Sequence, residues 1–153
     1  MVTAIPLSFS HDSSEKGVVY FSPNKNNEAV VVKFISDSKV SLDVAIYSIT
    51  NKSISDAIKL AKKRFVKSRV LCDKQQVSVK TSKCKDVGGV TDNRSGLMHH
   101  KFIIRDNKCV LTGSFNFTDN AIYRNRENFI IICDEEVARK YTDEFNNLWK
   151  NNP

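Results

Sequence analysis

Short stretches in which apolar and polar residues alternate predict a series of β-strands. Residues 17–23 form an apolar run that ends at a proline, and residues 40–49 place Leu42, Val44 and Ile46 on one face. The pair Asp106-Asn107 is typical of a tight turn that joins two strands into a hairpin. Further strands are predicted at residues 69–73, 77–80, 99–105, 108–112 and 127–133.

Apolar residues at helical spacing predict three helices between and after these strands. The first is expected to begin at Asn26 or Asn27, either of which can cap it, and the second at Ser53. The buried stripe of the second helix is predicted to consist of Ile54, Ala57, Ile58, Ala61 and Phe65, and that of the C-terminal helix of Val137, Tyr141, Phe145, Leu148 and Trp149. Strands that alternate with helices predict an α/β fold of two or three layers.

The chain of 153 residues has the size of a single domain. Its 41% hydrophobic and 27% charged residues exclude collagen-like, low-complexity and largely disordered classes. Residues 1–16 are polar and without a clear period, so we predict an N-terminal arm followed by one domain at residues 17–153. No apolar run approaches the ~18 residues of a membrane span, so stable insertion into a membrane is not expected. The compartment stays open, and secretion or a periplasmic location after removal of a leader is compatible with the sequence.

Positive charge changes this picture, because it is concentrated in one part of the chain. The net charge is +7, and residues 57–95 alone hold 11 basic and 3 acidic residues. A one-sided basic region is typical of a protein that binds polyanions, although a solvated surface is the alternative. Within this region Lys74, Lys83 and Arg94 are candidates for contacts with a substrate.

Four cysteines occur at positions 72, 84, 109 and 133. None of their spacings is the C-x2-C of a structural zinc site, and no metal site is predicted. An even number allows two disulfides, but the chain is not a small cysteine-rich scaffold. We therefore expect mostly free or buried thiols.

The segment from Met98 to Asn116 carries the candidate chemistry. In a strand, His99 and Lys101 lie on one face, whereas His100 lies on the other. An imidazole can act as a nucleophile or carry a proton near neutral pH, and an ammonium can bind the oxygens of a phosphate. Ser114 and Asn116, also two residues apart, can join these groups if the two strands pair.

This segment resembles the HKD motif of the phospholipase D superfamily. His99-x-Lys101-x4-Asp106 is followed, after six intervening residues, by Gly113-Ser114-x-Asn116. Residues 43–50, 113–118 and 126–128 also look like the small bacterial Nuc endonucleases. The resemblance implies a phospholipase D-like α/β sandwich in which a mixed sheet is flanked by helices.

The same resemblance implies a mechanism. Members with a single motif form a symmetric homodimer with one shared site, and they hydrolyse phosphodiesters without a metal or another cofactor. His99 is expected to form a phosphohistidine, and His99 of the other subunit to protonate the leaving oxygen. Lys101, Ser114 and Asn116 are expected to bind phosphate oxygens, and Glu127 to hydrogen bond the nucleophilic imidazole. Asp106 and Gly113 are motif residues for which a structural role is expected.

The leading hypothesis is thus a nuclease of little sequence specificity that acts on nucleic acid, DNA or RNA. A phospholipid phosphodiesterase is the first alternative, although the chain shows no amphipathic helix of the interfacial type. A nucleic-acid-binding module with an inactive site is a second alternative, against which the intact motif argues. A metal nuclease is a third, and no carboxylate cluster of the two-metal kind is evident in the sequence.

Overall fold

The computed structural model describes residues 17–152, so the predicted arm at residues 1–16 lies outside the described residues. Seven strands and five helices occur within the described range. The strands are β1 (Val18–Phe21), β2 (Ser41–Ile46), β3 (Lys67–Asp73), β4 (Val90–Asp92), β5 (Lys101–Arg105), β6 (Cys109–Gly113) and β7 (Asn128–Cys133). The helices are α1 (Asn26–Ser36), α2 (Lys52–Lys63), α3 (Lys74–Val77), α4 (Asp119–Tyr123) and α5 (Glu135–Lys150).

All seven strands form one mixed sheet in the order β1-β7-β6-β5-β2-β3-β4. β2, β3 and β4 run parallel to one another, and the other neighbours are antiparallel. The predicted hairpin is confirmed: Asp106 and Asn107 both adopt positive φ between β5 and β6, as a tight turn of this type requires. The start of β5, the end of β6 and the start of β7 therefore share one edge of the sheet.

Helices cover both faces of the sheet, which gives three layers. Helices α1 and α2 pack on one face with Leu42, Val44 and Ile46 of β2, the three residues predicted to share a face. Helix α5 packs on the other face, where Phe145 and Leu148 meet Phe102 of β5. The predicted α/β fold with a mixed sheet is confirmed.

The helix caps differ from those predicted. Asn51, rather than Ser53, caps α2: its side chain accepts a hydrogen bond from Ile54 N at 2.9 Å. Lys25 occupies the N-cap position of α1, and its side chain makes no capping hydrogen bond. The side-chain amide of Asn27 instead donates to the carbonyl oxygen of Phe21 at 3.0 Å. Several polar residues precede each helix, and only the backbone conformation selects the one that caps it.

Two further predictions were wrong. Phe65 is not part of the α2 stripe: the helix ends before it, the residue adopts φ +66°, and its side chain is 97% exposed. The strand predicted at residues 77–80 is absent, because Asp73 caps the short helix α3 there and β4 takes the open edge of β3.

The cysteines are paired, contrary to the expectation of free thiols. One disulfide joins Cys72 of β3 to Cys84, and the other joins Cys109 to Cys133. Cys109 and Cys133 are direct partners in the register of β6 and β7. Strand register brings these residues together, and spacing along the chain does not reveal it.

Candidate active site

Five predicted site residues lie at the same edge of the sheet. Lys101 is the first residue of β5 and His99 lies two residues before it, so the strand begins later than the predicted residue 99. Ser114 and Asn116 follow β6, and Glu127 directly precedes β7. Because β5, β6 and β7 are consecutive antiparallel neighbours, these positions meet at one edge. The sheet thus brings all five together.

The imidazole of His99 and the ammonium of Lys101 are in direct contact. Lys101 Nζ lies 3.1 Å from His99 Nδ1 and 3.3 Å from Nε2, and it donates to the His99 carbonyl oxygen at 2.7 Å. His99 is exposed, whereas the side chain of Lys101 is largely buried. Burial lowers the pKa of Lys101 below its ordinary value, and the nearby carboxylate of Glu127 opposes this shift. An anion bound at His99 would therefore meet a cation that the backbone holds in place.

Ser114 and Glu127 form a second contact pair at this edge. The Ser114 hydroxyl donates to Glu127 Oε2 at 2.5 Å and accepts from Asn128 N at 3.2 Å. Asn125 donates to Glu127 Oε1 at 3.3 Å. Within one chain, over residues 17–152, no hydrogen bond joins Glu127 to His99. The predicted bond from Glu127 to the nucleophilic imidazole thus stays a prediction.

Asn116 is held by the backbone that follows β2. Its side-chain oxygen accepts from Ser48 N at 3.1 Å, so the amide NH2 remains available as a donor. The neighbouring chain is fixed as well, since Phe117 N donates to Ser48 O and Ile49 pairs with Phe117 in a short parallel bridge. A donor group in a rigid position suits the binding of a phosphate oxygen.

Gly113 and Asp106 make contacts that explain their place in the motif. A Cβ at Gly113 would lie 2.1 Å from the carbonyl oxygen of Asn128, so only glycine lets β6 and β7 approach here. The Asp106 carboxylate accepts hydrogen bonds from the backbone amides of Lys39, Val40 and Ser41 at the opposite end of β5. Both sets of contacts are of a structural kind.

His100 faces away from the site, as strand alternation predicted. Its ring lies 5.3 Å from that of Phe102, which belongs to the core beneath α5. Its Nε2 lies 3.5 Å from a carboxylate oxygen of Glu144 in α5. The two adjacent histidines are therefore on opposite sides of the sheet.

Two residues near the site, Tyr47 and Asp73, were not singled out from the sequence. The ring of Tyr47 lies 4.7 Å from that of His99 and 5.4 Å from Lys101 Nζ, and its hydroxyl accepts from Gln76 at 3.2 Å. The buried carboxylate of Asp73 accepts from Met98 N at 2.8 Å and so anchors the chain just before His99. A polar residue that ends an otherwise apolar strand, as Asp73 does, is the only signal of these roles in the sequence.

The three predicted substrate contacts of the basic segment have partners within the chain. Lys74 Nζ donates to the Arg94 carbonyl oxygen at 2.5 Å, and Arg94 forms an ion pair with Asp92 at 2.8 Å. This ion pair raises the pKa of Arg94 and lowers that of Asp92. Lys83 lies 3.6 Å from Asp86. Their contact with a substrate stays a prediction, and a phosphate would have to share or replace these partners.

The fold and the site together define a class of protein. Residues 31–149 match the family described as "Cardiolipin synthase, PLD-like domain". The chain belongs to the phospholipase D superfamily. Within residues 17–152, none of the helices combines the length and the apolar character that a membrane crossing requires.

Individual relatives carry different names. The crystal structure of "a phospholipase D family member, Nuc" from Salmonella typhimurium is 30% identical, with a TM-score of 0.83 over 90% of this chain and 95% of that one. "Phospholipase D" of Rickettsia conorii is 34% identical over 92% of this chain and 72% of its own. Human "Mitochondrial cardiolipin hydrolase" is 34% identical over 74% of this chain and 47% of its own, so the chain spans about half the length of that relative.

Proposed function

We propose that the protein is an endonuclease that hydrolyses phosphodiester bonds of nucleic acid with little sequence preference and without a metal. The observation that carries this proposal is the contact of His99 with Lys101, beside Ser114, Asn116 and Glu127. Such a site holds its own nucleophile and its own cation. The similarity to Nuc over nearly the whole of both chains supports the choice of nucleic acid.

The proposed reaction has two displacements at phosphorus. In the first, the His99 imidazole forms a P–N bond as the P–O bond to the leaving group breaks, and the leaving oxygen takes a proton from a second imidazole. In the second, that imidazole removes a proton from water, whose oxygen attacks phosphorus and releases His99. Lys101 and the amide of Asn116 neutralise and orient the non-bridging oxygens throughout.

His99 and His100 are the only histidines within residues 17–152, so we assign the second imidazole to a second copy of the chain. A single imidazole cannot act as a neutral nucleophile and a protonated acid in the same step. His100 does not supply the second group, because it lies on the opposite side of the sheet near Glu144. A two-fold axis that passes close to His99 would bring two copies of this residue to one phosphate.

Chelation tests the metal-independent chemistry. A plasmid, a single-stranded oligonucleotide and an RNA are assayed side by side with and without excess EDTA. We expect at least one of them to be cleaved in EDTA at the same rate as without it. Loss of cleavage in the chelator, with recovery on addition of Mg²⁺ or Zn²⁺, would contradict the proposal. Binding should also weaken by orders of magnitude between ~50 and ~200 mM salt if several phosphates are contacted.

Histidine variants test the shared site. His99→Asn should abolish turnover, whereas His100→Asn, the matched control, should retain most of it. Heterodimers of wild-type and His99→Asn chains should be nearly inactive or stop at the covalent intermediate. A wild-type monomer that turns over at the full rate would refute the shared site, as would equal damage by the two substitutions.

Hydrolysis of a phospholipid is the second candidate function. The observation in its favour is the similarity to proteins named phospholipase D and cardiolipin hydrolase, at 34% identity each. The same side-by-side assay decides between the two, if vesicles that contain cardiolipin or another phosphatidyl lipid are included. Faster cleavage of the lipid than of any nucleic acid would favour this candidate.

A further inference from the structure

The chain turns sharply between α2 and β3, and a phenylalanine stands at the turn. Val66 N donates to the Ala61 carbonyl oxygen at 3.1 Å, and Phe65 N donates to that of Lys62 at 3.0 Å. These two hydrogen bonds form a common C-terminal helix cap, in which the residue at the position of Phe65 has a left-handed backbone and is usually glycine. Phe65 adopts this backbone, with φ +66°.

The stability of the fold does not explain a phenylalanine at this position. A side chain in the left-handed region is sterically disfavoured, so glycine would fit the cap better. The ring contributes nothing to the core, since Phe65 is 97% exposed, and within residues 17–152 it stacks on no other ring. Disfavoured backbone of this kind is concentrated at functional surfaces, which suggests that Phe65 contacts a partner.

Hydrogen bonds join the turn at Phe65 to the chain that enters β2. Lys67 N donates to the Val40 carbonyl oxygen at 3.0 Å, and Arg64 Nη2 donates to that of Ser36 at 3.1 Å. Val40 is 68% exposed and adds a second apolar side chain beside the turn. The exposed residues of these two segments form one surface, here called the Phe65 face: Lys39, Val40, Lys63, Arg64, Phe65 and Lys67.

The Phe65 face carries an excess of positive charge. Over the described residues, its four basic side chains form no ion pair: Lys39, Lys63, Arg64 and Lys67. The nearby carboxylates are engaged, since Asp106 accepts from backbone amides and Asp37 pairs with Lys33 at 2.9 Å. The acidic residues 134–136 follow β7, which lies three strands away from β2. Cations therefore surround the exposed ring.

We propose that the Phe65 face binds the surface of a lipid bilayer that contains anionic phospholipids. An aromatic side chain among lysines and arginines is a combination by which proteins attach reversibly to the headgroup region of such a bilayer. A nucleic acid would also attract the cations, but it offers nothing to Val40, and one ring is a poor platform for successive bases. Binding of this kind does not depend on the proposed nuclease function.

Attachment through the Phe65 face would hold the proposed active site away from the lipid. β3 runs from Lys67 at this face to Asp73, whose carboxylate holds Met98 N just before His99. The seven residues of this strand span about 20 Å. An attached molecule would therefore present His99 to substrates in solution and not to the bilayer that it binds.

Binding to vesicles tests the Phe65 face in the whole chain carrying His99→Asn, so that no phosphodiester is cleaved. The probes are vesicles of phosphatidylcholine with and without phosphatidylserine, and this protein should bind only those with phosphatidylserine. Phe65→Gly should weaken the binding about 10-fold or more, because the ring no longer enters the bilayer. Its Tm should equal or exceed that of the starting protein, since glycine suits the cap. The matched control is Phe21→Ser, which removes a ring 68% exposed at the other end of the sheet and should leave binding unchanged.

The charges are tested at low salt on the same vesicles. Lys63→Gln combined with Lys67→Gln should weaken binding about 30-fold, because each basic residue near an anionic surface contributes about 5-fold. Arg139→Gln combined with Lys150→Gln removes two exposed charges from α5 and should leave binding within about two-fold.

Tryptophan fluorescence tests whether the ring itself enters the bilayer. Phe65→Trp should shift its emission to the blue when vesicles with phosphatidylserine are added, because the indole moves from water into a less polar region. Phe21→Trp should show no such shift. With His99 intact, Phe65→Gly should hydrolyse bis(p-nitrophenyl) phosphate at the wild-type rate, since Phe65 lies far from the proposed site.

Several results would overturn the proposal. These are no binding of the starting protein to vesicles with phosphatidylserine, undiminished binding by Phe65→Gly, equal losses in the face variants and their controls, or a greater loss on an oligonucleotide than on vesicles. Conversion of Phe65→Gly to a smaller species in size-exclusion chromatography would also overturn it, because the face would then join two copies of the chain. Failure of the proposed nuclease function is seen separately, as wild-type protein that cleaves no nucleic acid.

Discussion

Replacement of Asp106 should destabilise the fold without impairing the chemistry. Its Oδ1 accepts hydrogen bonds from the backbone amides of Lys39, Val40 and Ser41 at 3.0, 2.7 and 3.0 Å. These bonds tie the hairpin turn to the chain that enters β2. The residue lies about 17 Å along the strand from Lys101, too far for contact with a phosphate at the site.

The size of the expected loss in unfolding free energy follows from the number of backbone amides that lose their hydrogen-bond acceptor. A hydrogen bond to a charged group contributes about 1.5–3 kcal/mol, and each amide left without an acceptor can still bind water where it is exposed. Because the three bonds are partly exposed, Asp106→Ala should lower the free energy of unfolding by about 3 kcal/mol in total. For a chain of this length, that corresponds to a fall in Tm of about 10 °C.

Thermal unfolding of the variant and the wild type checks the predicted loss of stability. Turnover of bis(p-nitrophenyl) phosphate, measured well below the Tm of both proteins, checks the chemistry. Asp106→Asn is the matched control, because its amide oxygen can still accept from the same amides, and it should lose about 1 kcal/mol. We expect kcat per folded molecule to stay near the wild-type value in both variants. An Asp106→Ala protein with unchanged Tm and a strongly reduced kcat would show that the carboxylate acts in catalysis.

Three further predictions concern the site and its supports. Because burial lowers the pKa of Lys101, its ammonium loses its proton at a lower pH than that of an ordinary lysine. Competitive inhibition by phosphate should therefore weaken as the pH rises through this lowered pKa. Inhibition that persists undiminished above pH ~10.5, the ordinary pKa of lysine, would refute this prediction. Tyr47→Ala should reduce kcat about 10-fold or more with little change in KM. Tyr47→Phe keeps the ring beside His99, so its kcat should fall only a few-fold. Equal losses of kcat in the two variants would assign the effect to the hydroxyl. Replacing Cys72 and Cys84 together by alanine should lower the free energy of unfolding, measured with denaturant, by about 3 kcal/mol, because the disulfide closes a loop with a sequence separation of 12. Four titratable thiols in the native, unreduced protein would contradict the pairing of the cysteines.

Local sequence patterns determined most of the secondary structure and the identity of the candidate site residues. Alternation placed Leu42, Val44 and Ile46 on one face of β2, and it separated His99 from His100. These predictions succeed because the direction of a side chain in a strand or helix depends on residue spacing alone. The HKD motif added the choice of chemistry, which periodicity does not contain.

Contacts between distant parts of the chain were decided only by the tertiary structure. Strand register paired Cys109 with Cys133, and sheet order brought the ring of Tyr47 beside His99. Phe65 fits the helical spacing of α2, yet the helix ends before it and the side chain points into solvent. In each case the outcome depends on which elements become neighbours, and this is a property of the whole packed chain that no short stretch of sequence contains.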